Sequence, residues 1–238
     1  MEHPLKAFYM TKPDVCDYFP DRTESKTVTE LNGAQAQGWA NALSRAGFRR
    51  SYGLCYVPSC PNCQACVSVR VCVESFSLSR QMKKIRRRNE DSHFSVVPNV
   101  ATAEQYDLFK AYLSVRHAGG EMEKMQYEDY RAMIEDSPIE TVLLELRRRG
   151  RLIAVMLTDV LDDGFSAVYS FFDPTLKKNS LGTFMILEAI RLAGEQRKPY
   201  VYLGYLIRGL ANMEYKKRFD PLEYCRDGEW IKSFPDQV

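Results

Sequence analysis

Three strand-length apolar runs in close succession, Thr141 to Leu146, Leu152 to Leu161 and Phe165 to Phe172, constrain this chain more than any other feature. The joints between them, Arg149-Gly150 and Asp162-Asp163-Gly164, are short turn-forming segments, so an antiparallel meander is expected. Behind it, Ser180 to about Gln196 has the length and apolar content of a helix and leads into a strand at Tyr200 to Leu203. A βββ-αβ order with a helix in the crossover predicts an α+β fold.

The first half is built from shorter pieces. Lys26 to Leu31 reads as a strand, Ala34 to Ala46 as a helix closed by Gly47, and Phe48 to Val57 as two strands broken at Gly53. Val67, Val69, Val71 and Val73 alternate with Ser68, Arg70, Cys72 and Glu74, which predicts a half-buried strand with Arg70 on the face opposite the valines. Ser79 can cap a helix reaching about Asp91, with Met82 and Ile85 as its thin apolar seam. Thr102 and Gln105 have capping-box spacing and open a helix expected to end at Gly119-Gly120; another covers Tyr127 to Glu135. There is no internal repeat, and a soft division near residue 100 separates an N-terminal mixed α/β domain, 1–100, from a C-terminal domain, 101–238.

With 238 residues and 45% hydrophobic composition the chain can bury a substantial core. No apolar run approaches the roughly 20 residues of a membrane span. The opening MEHPLKAFYM lacks the apolar stretch and cleavage site of a signal peptide, so a cytoplasmic protein with no membrane contact is expected. Seven cysteines, an odd number, fit a reducing compartment better than a disulfide framework.

Two local features carry chemistry. Cys60, Cys63 and Cys66 sit at Cys-x2-Cys spacing, and Cys16 lies upstream; four such thiols could hold zinc or an iron–sulfur cluster, or act as small buried hydrophobes that tie down two proline-containing loops. The segment from Arg80 to Arg88 carries Arg80, Lys83, Lys84, Arg86, Arg87 and Arg88 with no acid between them. Such a helix suits the phosphates of an RNA, against the alternative of a solvated face. His117, beside Gly119-Gly120, is a candidate general base or a capping histidine.

The βββ-αβ half resembles the Gcn5-related N-acetyltransferase (GNAT) fold. Members that use coenzyme A carry a Gln/Arg-x-x-Gly-x-Gly/Ala loop, where this chain reads Lys178-Asn179-Ser180-Leu181-Gly182-Thr183-Phe184. A phenylalanine in place of the second small residue would obstruct close backbone approach, so another acyl donor is expected.

Gly47-Phe48-Arg49-Arg50-Ser51, Tyr56-Val57-Pro58 with the three cysteines after it, Arg70-Val71, Ser79-Arg80-Gln81 and Arg88-Asn89 resemble the N-terminal half of the arginyl-tRNA-protein transferase family. Tyr112, Arg116, His117, Gly120, Met122, Ala167-Val168-Tyr169, Ser180-Leu181-Gly182, Tyr202-Leu203-Gly204-Tyr205 and Met213, Tyr215, Lys216, Phe219, Pro221 and Glu223 resemble the rest. The short bacterial members are the most similar; they move leucine from leucyl-tRNA to proteins with N-terminal Asp or Glu, which marks these proteins for N-degron proteolysis. Longer eukaryotic members carry a further cysteine where this chain has Phe19, and an adjacent cysteine pair absent here, so their cluster does not carry over.

The resemblance implies a leucyl-tRNA donor, acceptor proteins or peptides with N-terminal Asp or Glu, no DNA and no required cofactor, with zinc or an iron–sulfur cluster left open. It places Arg49, Arg50 and Arg70 at the acceptor's carboxylate, each with the alternative of pairing to an acid of the chain itself, and Cys16 and Tyr18 in the same pocket. Tyr202, Tyr205, Tyr215, Lys216 and His117 fall at the reacting end, Phe171, Leu206 and Met213 around the leucyl side chain, and the basic helix on tRNA. An arginyl donor with the same acceptors, a small-molecule GNAT acyltransferase, and a non-enzymatic RNA- or zinc-binding module are the alternatives.

Overall fold

The computed structural model describes residues 6–117 and 119–235; residues 1–5, half of the segment read above for a targeting signal, lie outside them. In chain order the elements are β1 (Tyr9–Met10), β2 (Asp14–Val15), β3 (Thr23–Glu24), β4 (Lys26–Glu30), α1 (Ala36–Arg45), β5 (Arg49–Ser51), β6 (Leu54–Pro58), β7 (Cys66–Cys72), α2 (Arg80–Arg88), β8 (Ser92–Pro98), α3 (Ala103–Arg116) and α4 (Tyr127–Glu135). Then follow β9 (Thr141–Arg148), β10 (Arg151–Val160), β11 (Gly164–Phe172), α5 (Leu181–Glu195), β12 (Tyr200–Ile207), α6 (Ala211–Glu214), β13 (Leu222–Arg226) and β14 (Glu229–Ile231).

The expected meander is present and larger than its sequence signal. An eight-stranded sheet runs in the order β14-β13-β7-β12-β11-β10-β9-β8, antiparallel throughout except where α5 returns the chain to lay β12 parallel to β11. Strands from both sides of residue 100 share this sheet, so hydrogen bonding runs across the division expected there. A four-stranded sheet, β1-β4-β6-β5, and the β2-β3 hairpin complete the N-terminal part.

Alternation along the strands sorts side chains to two faces. Ala154 and Met156 of β10 join Leu144, Leu146, Val69 and Val71 under α5 and α2, whose Met82 and Ile85 are buried as expected. Val155 and Leu157 face the other way, onto Leu108, Phe109 and Leu113 of α3 and Tyr130 and Ile134 of α4. The small sheet and α1 cover the rest of that second face through Leu31, Ala40, Leu43, Leu161 and Tyr202.

Cap chemistry sets the helix starts as expected: Ser79 accepts from the Met82 amide, and Thr102 and Gln105 form a reciprocal capping box. The latter helix ends at Arg116, with His117 as its C-cap, before the glycines expected to close it. β7 departs from expectation, since Ser68 and Arg70 are buried along with Val67, Val69 and Val71. It is an interior strand between β12 and β13, with the N-terminal part covering its polar face. No described helix is long and apolar enough to cross a membrane.

A candidate active site in a splay between two strands

β11 and β12 are hydrogen-bonded only at Gly164–Tyr200, Phe165–Val201 and Ser166–Tyr202, and then diverge. Each carries an irregularity where they part. On β11, Val168 is an extra residue between Tyr169 and Ala167, which pair with consecutive residues of β10; on β12, Leu203 is extra between Tyr202 and Gly204 relative to β7. Paired bulges beside a splay leave main-chain carbonyls without strand partners and open a slot.

Arg49, from β5, fills this slot. Its guanidinium donates to the carbonyls of Ala167 (3.3 Å) and Val168 (3.1 Å) and lies 5.7 Å from the Tyr205 ring centroid. Gly204 has φ +73, and a Cβ there would overlap that guanidinium. The glycine thus serves both the backbone conformation and the close approach.

Lys216, in a 3-10 turn after α6, is buried in the same cluster; its Nζ donates to the Tyr205 carbonyl and to Met213 Sδ at 3.6 Å. Burial, reinforced by the Arg49 charge, lowers its pKa from 10.5 to about 7. Tyr205 and Tyr215 are pushed the other way, up, chiefly by burial. The Tyr205 hydroxyl donates to the Tyr56 carbonyl at 3.1 Å. Next to the bulge, the hydroxyl of Tyr169 is buried without a hydrogen-bond partner among the described residues.

The other expected acceptor arginines have gone to the chain's own acids. Arg50 is buried and bidentate to Asp159 (2.8 and 2.5 Å), tying β5 to β10 and so positioning the adjacent Arg49. Arg70 pairs with Glu223 at 2.7 Å, donates to the Tyr202 hydroxyl at 3.3 Å, and lies 3.5 Å from the Tyr200 ring centroid and 4.2 Å from that of Trp230. Tyr202 belongs to this second network and donates to Asp163 at 2.9 Å; the Leu203 bulge puts it on the same sheet face as Tyr205, but not in the Lys216 cluster.

The leucyl wall is also placed differently from expectation. Phe171 and Leu206 are fully buried in two separate cores, on opposite faces of the sheet, so they do not form one wall. Met213 does lie in the cluster, through Lys216. One residue along β11, Phe172 packs edge-on to Tyr112 at 4.9 Å and sits 3.0 Å from where a Gly182 Cβ would be. Tyr112, Tyr169 and Phe172 were not separable from core aromatics by periodicity alone. Phe184 turns into the core rather than toward the loop, so the obstruction of a coenzyme A phosphate expected there is absent. His117 is exposed, with its ring 5.8 Å from that of Tyr112.

A cavity of about 500 Å³ adjoins the slot through Tyr205 and is lined by Cys16, Tyr18, Cys60, Cys63 and Cys66. The thiols have partners within the chain. Cys60 bonds the Ser25 carbonyl at 3.6 Å, Cys63 accepts from Arg22 at 3.4 Å, and burial, with the neighbouring thiols, raises Cys66 to about 12. Among the described residues, no three histidine, cysteine, aspartate or glutamate side chains gather as a metal site requires.

On the α5 side of the sheet, Arg80, Lys83, Lys84, Arg86, Arg87 and Arg88 are all exposed, and none is ion-paired among the described residues. Arg80, Lys84 and Arg88 share one face and line a hollow against Ser180; Arg88 donates to the Lys178 carbonyl at 3.0 Å, tying the basic helix to the start of α5.

The fold compares with FemX at a TM-score of 0.51 and 6% identity, over 82% of this chain and 68% of that one, which supports the GNAT-like acyltransferase architecture. A relative from Gluconacetobacter diazotrophicus, named aspartate/glutamate leucyltransferase, is 50% identical over 98% of this chain and 90% of its own length. One of the same name from Paramagnetospirillum magneticum is 47% identical over 99% and 98%. The family model "Arginine-tRNA-protein transferase, N terminus" matches residues 14–84, and its C-terminus counterpart matches residues 104–226. Matched by both halves in order and by relatives over nearly its full length, the chain belongs to the arginine-tRNA-protein transferase family.

Proposed function

We propose that the protein transfers leucine from leucyl-tRNA to the α-amine of proteins with N-terminal Asp or Glu, marking them for proteolysis. The observation that carries this reading is the slot itself: a guanidinium and a lysine titrating near neutrality share the opening between two bulged strands. The relatives' name, aspartate/glutamate leucyltransferase, and the tRNA-protein transferase family support the choice of donor and acceptor.

An aminoacyl ester is already activated, and an α-amine with a pKa of about 7.7–8 is partly neutral at pH 7. Orientation and charge stabilisation therefore do most of the work. The amine nitrogen attacks the ester carbonyl carbon, the bond to the ribose oxygen breaks, and an amide forms. Neutral Lys216 takes the proton released from nitrogen and passes it to the departing ribose oxygen, which restores the neutral amine. Arg49 places its charge where the carbonyl oxygen becomes negative. Met213, Tyr112 and Phe172 offer the apolar and aromatic surface that leucine needs, whereas an arginyl side chain would require an acid.

The basic face of α2 then holds tRNA phosphates, with Arg88 linking it to the α5 end of the slot. The test supplies purified protein with labelled leucyl-tRNA or arginyl-tRNA and peptides beginning with Asp, Glu, Lys or Ala. Leucine transfer confined to the Asp and Glu peptides is the expected result. Arginine transfer to the same peptides would overturn the donor, and no transfer from either intact tRNA would overturn the reading.

A further inference from the structure

With Arg50 and Arg70 committed to Asp159 and Glu223, and Arg49 bonded to carbonyls in the slot, the acceptor's side-chain carboxylate still needs a cation. The lining of the cysteine cavity carries three, Arg22, Lys26 and Arg226, of which Arg226 pairs with Asp227 at 3.7 Å. Arg22 closes the β2-β3 turn, where its amide donates to the Phe19 carbonyl (2.8 Å) and its carbonyl accepts from the Cys16 amide (3.0 Å). Its guanidinium lies 4.3 Å from the Phe19 ring centroid and donates to Cys63 Sγ at 3.4 Å. That sulfur is a weak acceptor, so the guanidinium is oriented without being neutralised.

Lys26, on β4, lines the same cavity and pairs with Glu24 at 2.6 Å. An ammonium has three donors, and Glu24 occupies one, so a second carboxylate can join without displacing it. Asp17 and Asp227 also line the cavity, giving it mixed rather than uniformly positive charge. An acceptor chain terminus brings an ammonium as well as a carboxylate, and a lining of both signs suits it. Tyr205 belongs to the cavity and lies beneath Arg49, so an acceptor seated there has its amine toward the slot.

We propose that Arg22 and Lys26 are the specificity-determining residues that bind the acceptor's side-chain carboxylate in this cavity, with the Cys63 thiol orienting Arg22. The proposal rests on the aminoacyl-transfer reading above. It gives the cysteine loops a part in recognition without a metal.

The experiment measures leucine transfer by wild type, Arg22→Gln, Lys26→Met and the double variant, with peptides starting in Asp, Glu, Asn or Ala. In parallel, calorimetry measures binding of the Asp peptide without tRNA. Each single substitution is expected to lower kcat/KM for Asp and Glu peptides by about ten-fold or more, mostly through the peptide KM, because a charge-assisted hydrogen bond is removed. The KM for leucyl-tRNA stays unchanged while the rates with Asp and Glu peptides fall toward the Ala background; Arg22→Lys recovers part of the loss, and Cys63→Ala raises the peptide KM with kcat retained. A double variant that keeps the wild-type kcat/KM for Asp and Glu peptides overturns the proposal while keeping the donor. Peptide binding that depends on Arg22 and Lys26 in a protein that transfers no leucine overturns the donor and keeps the cavity. Neither binding nor transfer overturns both.

Discussion

Gly204→Ala tests whether the slot is organised as described. The new methyl overlaps the Arg49 guanidinium, which is the mobile end of a long side chain and can swing away. The cost is therefore not overlap but what the guanidinium forfeits, namely its bonds to the Ala167 and Val168 carbonyls. Hydrogen bonds from a charged donor are worth about 1.5 kcal/mol or more each, and holding a residue with a Cβ at positive φ costs about 1 kcal/mol. Some of this returns when water reaches the carbonyls, so the expected destabilisation is about 3 kcal/mol, a large share of a typical stability of about 5–15 kcal/mol. Urea unfolding followed by circular dichroism measures it. The decisive comparison is a double-mutant cycle with Arg49→Ala, in which the methyl no longer meets the guanidinium and Gly204→Ala is expected to cost mainly the conformational strain of about 1 kcal/mol. Equal costs in the two backgrounds would refute the inserted guanidinium.

Arg50→Ala is expected to cost about 3–5 kcal/mol by stranding Asp159, a buried charge, while replacing both residues by apolar ones of similar volume is much milder; chemical denaturation separates the two. Lys216 has a folded-state pKa, about 7, below its ordinary 10.5, so the unfolded chain binds more protons between those values and its unfavourable contribution is relieved as pH rises through that window. Lys216→Met should therefore stabilise the protein most below pH 7, with the gain shrinking toward pH 10, as read by unfolding midpoints across pH. In wild type, kcat/KM should rise through two ionisations, Lys216 at about 7 and the acceptor amine at about 7.7–8, and only the amine's should remain in Lys216→Met. Neutralising Arg80, Lys84 and Arg88 should reduce the salt dependence of leucyl-tRNA binding by roughly 0.9 in log–log slope for each phosphate left without its cation, which filter binding over a salt series measures.

Local chemistry was legible where it is self-contained. The meander and its turns, the Ser79 cap, the Thr102 capping box, the Met82 and Ile85 seam and the cation-only helix face all follow from neighbours within a few residues, and the structure places each near its expected position. β8, β13 and β14 lacked a comparable signal, because strands with half-exposed, polar-rich sequences become strands only when a sheet edge offers them hydrogen bonds.

The site divides along the same line. From residue types and their resemblance to a family came the arginines, the tyrosines, Lys216 and the cysteine loops as a set. Which arginine faces a reacting centre and which is tied to Asp159 or Glu223 is a matter of partners more than a hundred residues away. Likewise, Phe171 and Leu206 carry the right chemistry for a leucyl pocket but lie in two cores on opposite faces of the sheet, which only strand pairing decides. The two bulges show the limit most sharply: each inserted residue resets the alternation that sequence periodicity assumes, and the slot exists only because both occur opposite one another. Periodicity and side-chain chemistry determined the elements and the inventory of reactive groups. Long-range pairing, which brings charges out of water only where a partner waits, decided which of those groups remain available for function.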